Sequence, residues 1–293
     1  MHINYNDPYI WLDHRYAFDA EARNPSIEKK FIKYFSERES IHILDAGAGT
    51  GNNFKYYFEK LPNQKQSWVL LEQEAGSIEQ CRKRLQRFAE KKGYELETTD
   101  DRFLLKAEGK LAQIQFEQGN LQDIKAHVDM ETLDVVTANA LFDLVSYEQF
   151  DHFAAQLTCY QVCLLATLNY YETSFLPFSE EDGRFVRFFH THMMRPRDFG
   201  QGMGPNCSEE MLELLVAHEM KVEQEESRWH LKRYDTTMQH YILHFFEQAI
   251  RDLSLSDSEL RDTDQWISTK KEMSQSHTLE IIVDHSDIFA YPW

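Results

Sequence analysis

The chain has 293 residues, of which 42% are hydrophobic and 27% charged. This is an ordinary globular composition, suited to one large domain with additions or to two small ones. A formal net charge of −18 repels phosphate-rich surfaces and argues against nucleic acid or an anionic membrane as the main partner. The most apolar run, Val162 to Leu168, is far shorter than the roughly 20 residues of a membrane span. The first residues lack a charged-then-apolar leader pattern. The four cysteines form no Cys-x-x-Cys pair and read as reduced thiols of a cytoplasmic protein.

In chain order, residues 8–40 read as helical, with Asn24 as a cap before Pro25 and Ile27, Phe31, Tyr34 and Phe35 at helical spacing. A short strand follows, Ile41 to Asp45, then a helix presenting Phe54, Tyr57, Phe58 and Leu61. Ser67 to Glu72 reads as a second strand, and Ile78, Cys81, Leu85 and Phe88 mark another amphipathic helix. Glu108-Gly109 between two apolar runs predicts a hairpin whose second arm joins the main sheet. Leu133 to Thr137 and Val162 to Leu168 are further buried strands, separated by a helix that Ser146 and Gln149 open as a capping box. Residues 170–207 read as a long loop with three of the seven prolines, and such loops are usually functional. Ser208 is expected to cap the next helix. Val222 to Leu231 and Leu279 to Val283 are the last strands, with helices over 237–251 and 256–272 between them.

This alternation predicts a largely parallel sheet covered on both faces. Glycine is used sparingly, with six of the 11 in two groups: Gly47, Gly49, Gly51 and Gly200, Gly202, Gly204. The first group lies in Leu44-Asp45-Ala46-Gly47-Ala48-Gly49-Thr50-Gly51, between a strand and a helix. Ligands of open α/β sheets bind at such strand ends. Asn52 stands where G-x-G-x-x-G needs its last glycine, and no Gly-Lys-Ser/Thr follows, so diphosphate binding is disfavoured. Asp45 suits an ammonium-bearing ligand better. Glu72 ends the second strand 21 residues after Gly51, the spacing of a carboxylate that accepts from a ribose diol. Gly119-Asn120-Leu121 and Thr137-Ala138-Asn139-Ala140-Leu141-Phe142-Asp143 follow later strands.

These four loops, in this order across residues 40–170, resemble those of the class I S-adenosylmethionine-dependent methyltransferases. The resemblance implies a Rossmann-like α/β fold: a seven-stranded, mostly parallel sheet with helices on both faces and the last strand antiparallel. N-terminal helices and a helical insertion before the last strand would be additions. It implies S-adenosylmethionine as cofactor, held by Asp45, Gly47, Ala48, Gly49 and Gly51 at its methionine part. Glu72 would hold the ribose, Asn120 and Leu121 the adenine, and Asn139 would stand beside the methyl group. The family more often has an acid at the position of Asn120. Arg15 is a candidate for the cofactor carboxylate.

The expected division is an N-terminal helical cap at 1–40 and a cofactor domain at 41–293, with a substrate cap at 170–207 and a helical addition at 236–275. Asn139-Ala140-Leu141-Phe142 lacks the Asn/Asp-Pro-Pro-Tyr/Phe pattern of enzymes that methylate amines of bases or glutamine. With the net charge, this favours a small-molecule substrate, without nucleic acid or membrane. Tyr170, His190 and His192 are the candidate catalytic groups. No third ligand joins the two histidines, so no metal is expected. The second glycine group, Gly200, Gly202 and Gly204, is expected to form a hinge or turn over the pocket. Two alternatives stay open: aminopropyl transfer from the decarboxylated cofactor, and a non-catalytic cofactor-binding subunit of a partner enzyme.

Overall fold

A computed structural model of the chain describes residues 4–99, 101–197 and 200–293. Helix α1 (Pro8–Ala22) starts behind Asp7, whose side chain accepts from the amides of Tyr9 and Ile10. Helix α2 (Pro25–Phe35) starts behind Asn24, which accepts from Ser26 and Ile27. Proline in each first turn has no amide to leave unsatisfied.

The α/β part then runs β1 (Ser40–Ala46), α3 (Asn52–Lys60), β2 (Lys65–Glu72), α4 (Ala75–Lys92), β3 (Glu95–Thr98), β4 (Arg102–Ala107), β5 (Lys110–Gln118), α5 (Ile124–His127) and β6 (Val135–Asn139). It continues with α6 (Tyr147–Tyr160), β7 (Cys163–Leu176), α7 (Asp182–Met193) and the two-residue arms β8 (Pro196–Arg197) and β9 (Gly200–Gln201). The last elements are α8 (Cys207–Ala217), β10 (Lys221–Leu231), α9 (Thr236–Arg251), α10 (Asp257–Gln275) and β11 (Glu280–Tyr291).

The main sheet has nine strands in the order β10-β11-β7-β6-β1-β2-β5-β4-β3, not the seven expected. Strands β5, β2, β1, β6 and β7 are parallel, and β11 is antiparallel to both β7 and β10. The two extra strands extend the edge beyond β5. The hairpin at Glu108-Gly109 makes β4, as its turn signal predicts, and β4 recruits β3. Strand β3 has only the half-buried Leu96 facing inward, so it carries no alternation to read.

Both sheet faces are covered. Ile41 and Ile43 of β1 pack with Phe31, Phe54 and Phe58 of α2 and α3 on one face. Leu44 and Ala46 pack with Phe150, Leu157 and Leu214 of α6 and α8 on the other. A third cluster joins the far ends of β7, β10 and β11 to α7, α9 and α10. There Phe189 stacks on Phe246 at 4.4 Å and Phe185 on Trp266 at 4.5 Å. Buried Asp182 accepts from Lys270 Nζ at 2.9 Å and from Trp266 Nε1 at 2.8 Å. Such a pair fixes geometry more than it adds net stability, because both charges lose water.

Three further expectations are corrected. Residues 170–207 are not a long loop. Strand β7 runs on to Leu176 because Phe175 and Thr173 pair with Ile281 and Val283 of β11, and α7 follows. Strand β11 is correspondingly longer than Leu279 to Val283. Ser208 lies inside the first turn of α8, which starts at Cys207 without a side-chain cap. Asp198 and Phe199 lie outside the described residues. No helix among the described residues is long and apolar enough to cross a membrane.

Candidate functional site

The sheet reverses direction of winding at β1, which lies between β2 and β6. A crevice at the carboxyl ends of these strands is the expected binding place in such a sheet. The glycine loop leaves β1 there. Gly47, Gly49 and Gly51 have φ of +63°, +53° and +77°, a region that side chains with a Cβ rarely adopt. At Gly51 an added Cβ would also stand 2.8 Å from buried Cys81 Sγ.

Glu72, at the end of β2, binds the loop directly. Its Oε2 accepts from the Gly49 amide at 2.8 Å, and Oε1 accepts from Gln73 and Glu74. The Ala48 amide donates to Leu71 O at 3.1 Å. Helix α1 lies across the loop: Leu12 Cδ1 is 3.4 Å from where a Gly49 Cβ would be, and Leu12 O accepts from Asn52 Nδ2.

Asp45 is buried at the end of β1. Its Oδ1 accepts from Asn53 Nδ2 at 2.7 Å and Thr137 Oγ1 at 2.9 Å. Burial pushes its carboxyl up to about 6, against these two hydrogen bonds and the nearby Arg23 charge. Among the described residues, Asp45 Oδ2, Thr50 Oγ1 and Asn52 Oδ1 are buried without a partner.

From Asn53 a chain of buried polar groups runs across the crevice. Asn53 Oδ1 accepts from Arg23 Nη2 at 2.9 Å, and Arg23 Nη1 donates to Tyr57 Oη and Thr167 Oγ1, each at 3.1 Å. Thr167 donates to Asn139 Oδ1, Asn139 Nδ2 donates to Asp19, and Asp19 is paired with Arg15 Nε at 2.9 Å. The guanidinium of Arg15 also stands 5.6 Å from the Trp11 ring centre and 5.1 Å from that of Trp229. Asn139 and Arg15 are thus brought together through Asp19.

Asn120 begins a short helical turn, and its Oδ1 accepts from the Gln122 amide at 2.8 Å. Leu121 packs on the central core. Tyr170 is buried on β7, with its Oη 3.0 Å from His190 Nε2 on α7. Burial raises the Tyr170 phenol and lowers the His190 imidazole, so both are held neutral. His192 is not with them. Two residues along α7, it turns to Asp252 at 3.4 Å, because side chains at i and i+2 leave a helix on different faces. No cluster of three or more metal-ligating side chains occurs among the described residues.

The second glycine group packs behind this region. The Met203 amide donates to Val145 O, and a Cβ on Gly202 would meet Asp143 O at 3.1 Å and Met193 O at 3.3 Å. Gly202 therefore allows two backbones to approach closely.

Beside the crevice lies a cavity of about 140 Å³, bounded by Arg15, Ala140, Tyr170, Phe189, Trp229 and His285 among others. His285 is buried on β11 next to a bulge in the β11–β7 pairing. Burial and the Arg15 charge push its imidazole down to about 3. Asn53, Thr167, Trp229 and His285 are site residues that motif reading misses, and Arg23 and Thr137 are ones to which it gives no role. One signal was present: Thr137, Thr167 and His285 are polar residues interrupting apolar strands.

No family model matches the sequence, and no curated protein matches it. Solved structures do match. The chain is similar to the YcgJ protein of Bacillus subtilis at 12% identity, covering 92% of this chain and 100% of that one, with a TM-score of 0.50. It is similar to a Galdieria sulphuraria protein assigned as a sarcosine dimethylglycine methyltransferase (9% identity, 91% and 84% coverage, TM-score 0.46). A third is geranyl diphosphate C-methyltransferase of Streptomyces coelicolor, solved with S-adenosyl-L-homocysteine (10% identity, 89% and 79% coverage, TM-score 0.40). These likenesses are of fold: the chain shares the overall arrangement of the YcgJ protein.

Proposed function

We propose that the chain is an S-adenosylmethionine-dependent methyltransferase acting on a small molecule. The observation that carries this reading is the hydrogen bond from the Gly49 amide to Glu72 at the point where the sheet reverses. It places a bare backbone loop and a carboxylate side by side at the ends of β1 and β2. The residues present fit this cofactor. Glycines with positive φ leave the loop without side chains, and Asp45 Oδ2 is a buried acceptor without a partner beside it. Leu12 and Leu141 supply apolar cover at Gly49 and Gly47.

In this reading Asp45 and the backbone of Gly47, Ala48, Gly49 and Gly51 hold the methionine end. Glu72 accepts from the ribose hydroxyls, and Asn120 and Leu121 flank the adenine. Arg15 and Asn139 close the site on the α1 side, linked by Asp19. When bound, the cofactor supplies a methyl group already activated on a sulfonium centre. The chain's own work is then to align an acceptor and exclude water. Residues of α1, α7 and α9 line the neighbouring cavity and in this reading do the second. Tyr170 Oη then orients the acceptor, and His190 Nε2, 3.0 Å from it, holds a proton.

Titration with S-adenosylhomocysteine is the direct test. Saturable heat and a rise in Tm of a few degrees are expected at about 100 times Kd, where ligand linkage gives about 2.7 kcal/mol. Absence of both refutes the reading. Transfer of a labelled methyl group to a metabolite extract then separates an enzyme from a binding subunit.

A further inference from the structure

The aromatic cavity beside the crevice has features that the cofactor does not use. Its walls are apolar and stiff: Phe189 and Phe246 stack nearly parallel, at 7° and 4.4 Å, and Tyr170 and Trp229 complete the box. Its volume of about 140 Å³ is close to that of an apolar cavity of about 150 Å³ known to hold benzene. It therefore accommodates about one six-membered ring.

The backbone around it is unusual. Ala140 and Leu168 both line it, with φ of +51° and +56°. Neither is glycine, and such strain gathers where a site demands it. Leu168 is held in that state by Asp287, whose Oδ1 accepts from the Leu168 amide at 2.7 Å. The irregular pairing of β11 that places Asp287 also places His285.

The polar groups of the cavity are few. Among the described residues, His285 Nδ1 and Trp229 Nε1 are buried without a partner, and both residues line the cavity. An unpaired buried ring nitrogen or N–H carries a desolvation cost of about 1–3 kcal/mol, which a ligand group removes. Arg15 also lines the cavity, but its charge is already answered by Asp19. Asp143 lies on the lining too. Asp143 is not without a partner either, so neither charged side chain is left to recruit a counter-charged ligand.

We infer that this cavity is the methyl-acceptor pocket and that it takes an uncharged molecule of one aromatic ring with a hydrogen-bonding substituent facing His285 and Trp229. The inference rests on the methyltransferase reading. In the step it implies, a lone pair of the substituent forms the new bond to the methyl carbon while the carbon–sulfur bond breaks. The bonding pair stays on sulfur, giving a neutral thioether. The acceptor's proton passes to Tyr170 Oη as the phenol proton moves to His190 Nε2. His285 stays neutral throughout and serves as a positioning residue.

Phenol and toluene, equal in size and differing in one hydrogen-bonding group, test this by calorimetry and tryptophan fluorescence on protein saturated with S-adenosylhomocysteine. Both are expected to bind, phenol about threefold to tenfold more tightly. Val283→Trp, which fills the cavity, is expected to abolish binding of both and to keep S-adenosylhomocysteine binding. His285→Phe is expected to keep toluene and lose the preference for phenol; since it keeps a ring of similar size, it serves if Val283→Trp fails to fold. Binding of S-adenosylhomocysteine without either ring overturns the pocket and leaves the cofactor reading standing. Binding of the rings without S-adenosylhomocysteine overturns the acceptor assignment together with that reading. A phenol preference that survives His285→Phe overturns the role of His285.

Discussion

The two sides of the crevice are built in opposite ways. At β1 and β2 the site lies within 28 residues of sequence, from Asp45 to Glu72, and its parts are backbone amides, glycines and one carboxylate. On the side of β7 and β11 the cavity draws on Arg15, Ala140, Tyr170, Phe189, Trp229 and His285, scattered along the chain. A loop that binds through its backbone needs a contiguous pattern, because successive φ values must be set together. A pocket that binds through side chains needs only that distant residues meet. The first kind leaves a motif and the second does not.

Arg23 couples the two sides, so its removal should have the largest effect. It is buried, bonded to Asn53, Tyr57 and Thr167, and close to the charges of Asp19, Asp45 and Asp287. Arg23→Met leaves Asp45 and Asp287 without a nearby cation in a poorly solvated interior, while Asp19 keeps Arg15. A loss of about 3–5 kcal/mol is expected in urea unfolding, with the S-adenosylhomocysteine response lost as well. A loss under about 1 kcal/mol would mean that the sides are independent.

Next in size is the glycine loop, with the hairpin turn as its control. Gly51→Ala places a Cβ against Cys81 at positive φ, whereas Gly109, at φ +71°, has nothing within 4 Å of its Cβ position. Both are expected to lose about 1–2 kcal/mol to backbone strain. Only Gly51→Ala should lose more than that and abolish the S-adenosylhomocysteine heat. Equal behaviour of the two would remove the special status of the loop.

The cavity side has a smaller signature, in pH. The folded His285 imidazole is depressed to about 3, so below about 6.5 the unfolded chain takes a proton that the folded chain refuses. Its contribution is present above 6.5 and is lost as pH falls. Asp45 works oppositely: its folded carboxyl, raised to about 6, keeps a proton that the unfolded chain has released. That contribution is full below about 3.8 and gone above 6. The His285→Phe variant, compared with the parent chain, isolates the first. It should gain about 1 kcal/mol at pH 5.5 relative to pH 7.5. An unchanged pH profile would show that His285 titrates normally.

The smallest effect is expected at His192. It faces Asp252, away from Tyr170 and His190, so His192→Asn should leave binding of S-adenosylhomocysteine and of phenol unchanged. A tenfold loss of either would return it to the site.

Much of the fold was legible where local chemistry decides it. Asn24 before Pro25, Ser146 with Gln149 and Glu108-Gly109 mark a helix start, a capping box and a hairpin, and each is where its signal places it. The strand Val222 to Leu231 was also placed correctly, and so were the two helices between it and β11. Strand β3 was not legible, because an edge strand with one inward side chain shows no period. The extensions of β7 and β11 were hidden for a related reason. Tyr170 to Leu176 resembles a loop until Glu280 to His285 pairs with it.

From its residues alone, the sequence determined the parallel core and the loop of Asp45 to Gly51 with Glu72 beside it. Both follow from short-range rules: short continuous apolar runs, and glycine where φ must be positive. Only the tertiary structure decided that Arg23 and Asn53 lie under that loop, that His190 meets Tyr170 while His192 does not, and that His285 closes an aromatic cavity. Those relations depend on strand order, on the helical course of α7 and on the bulge in β11, which are set by packing across the whole sheet and leave at most a lone polar residue in an apolar strand as local trace.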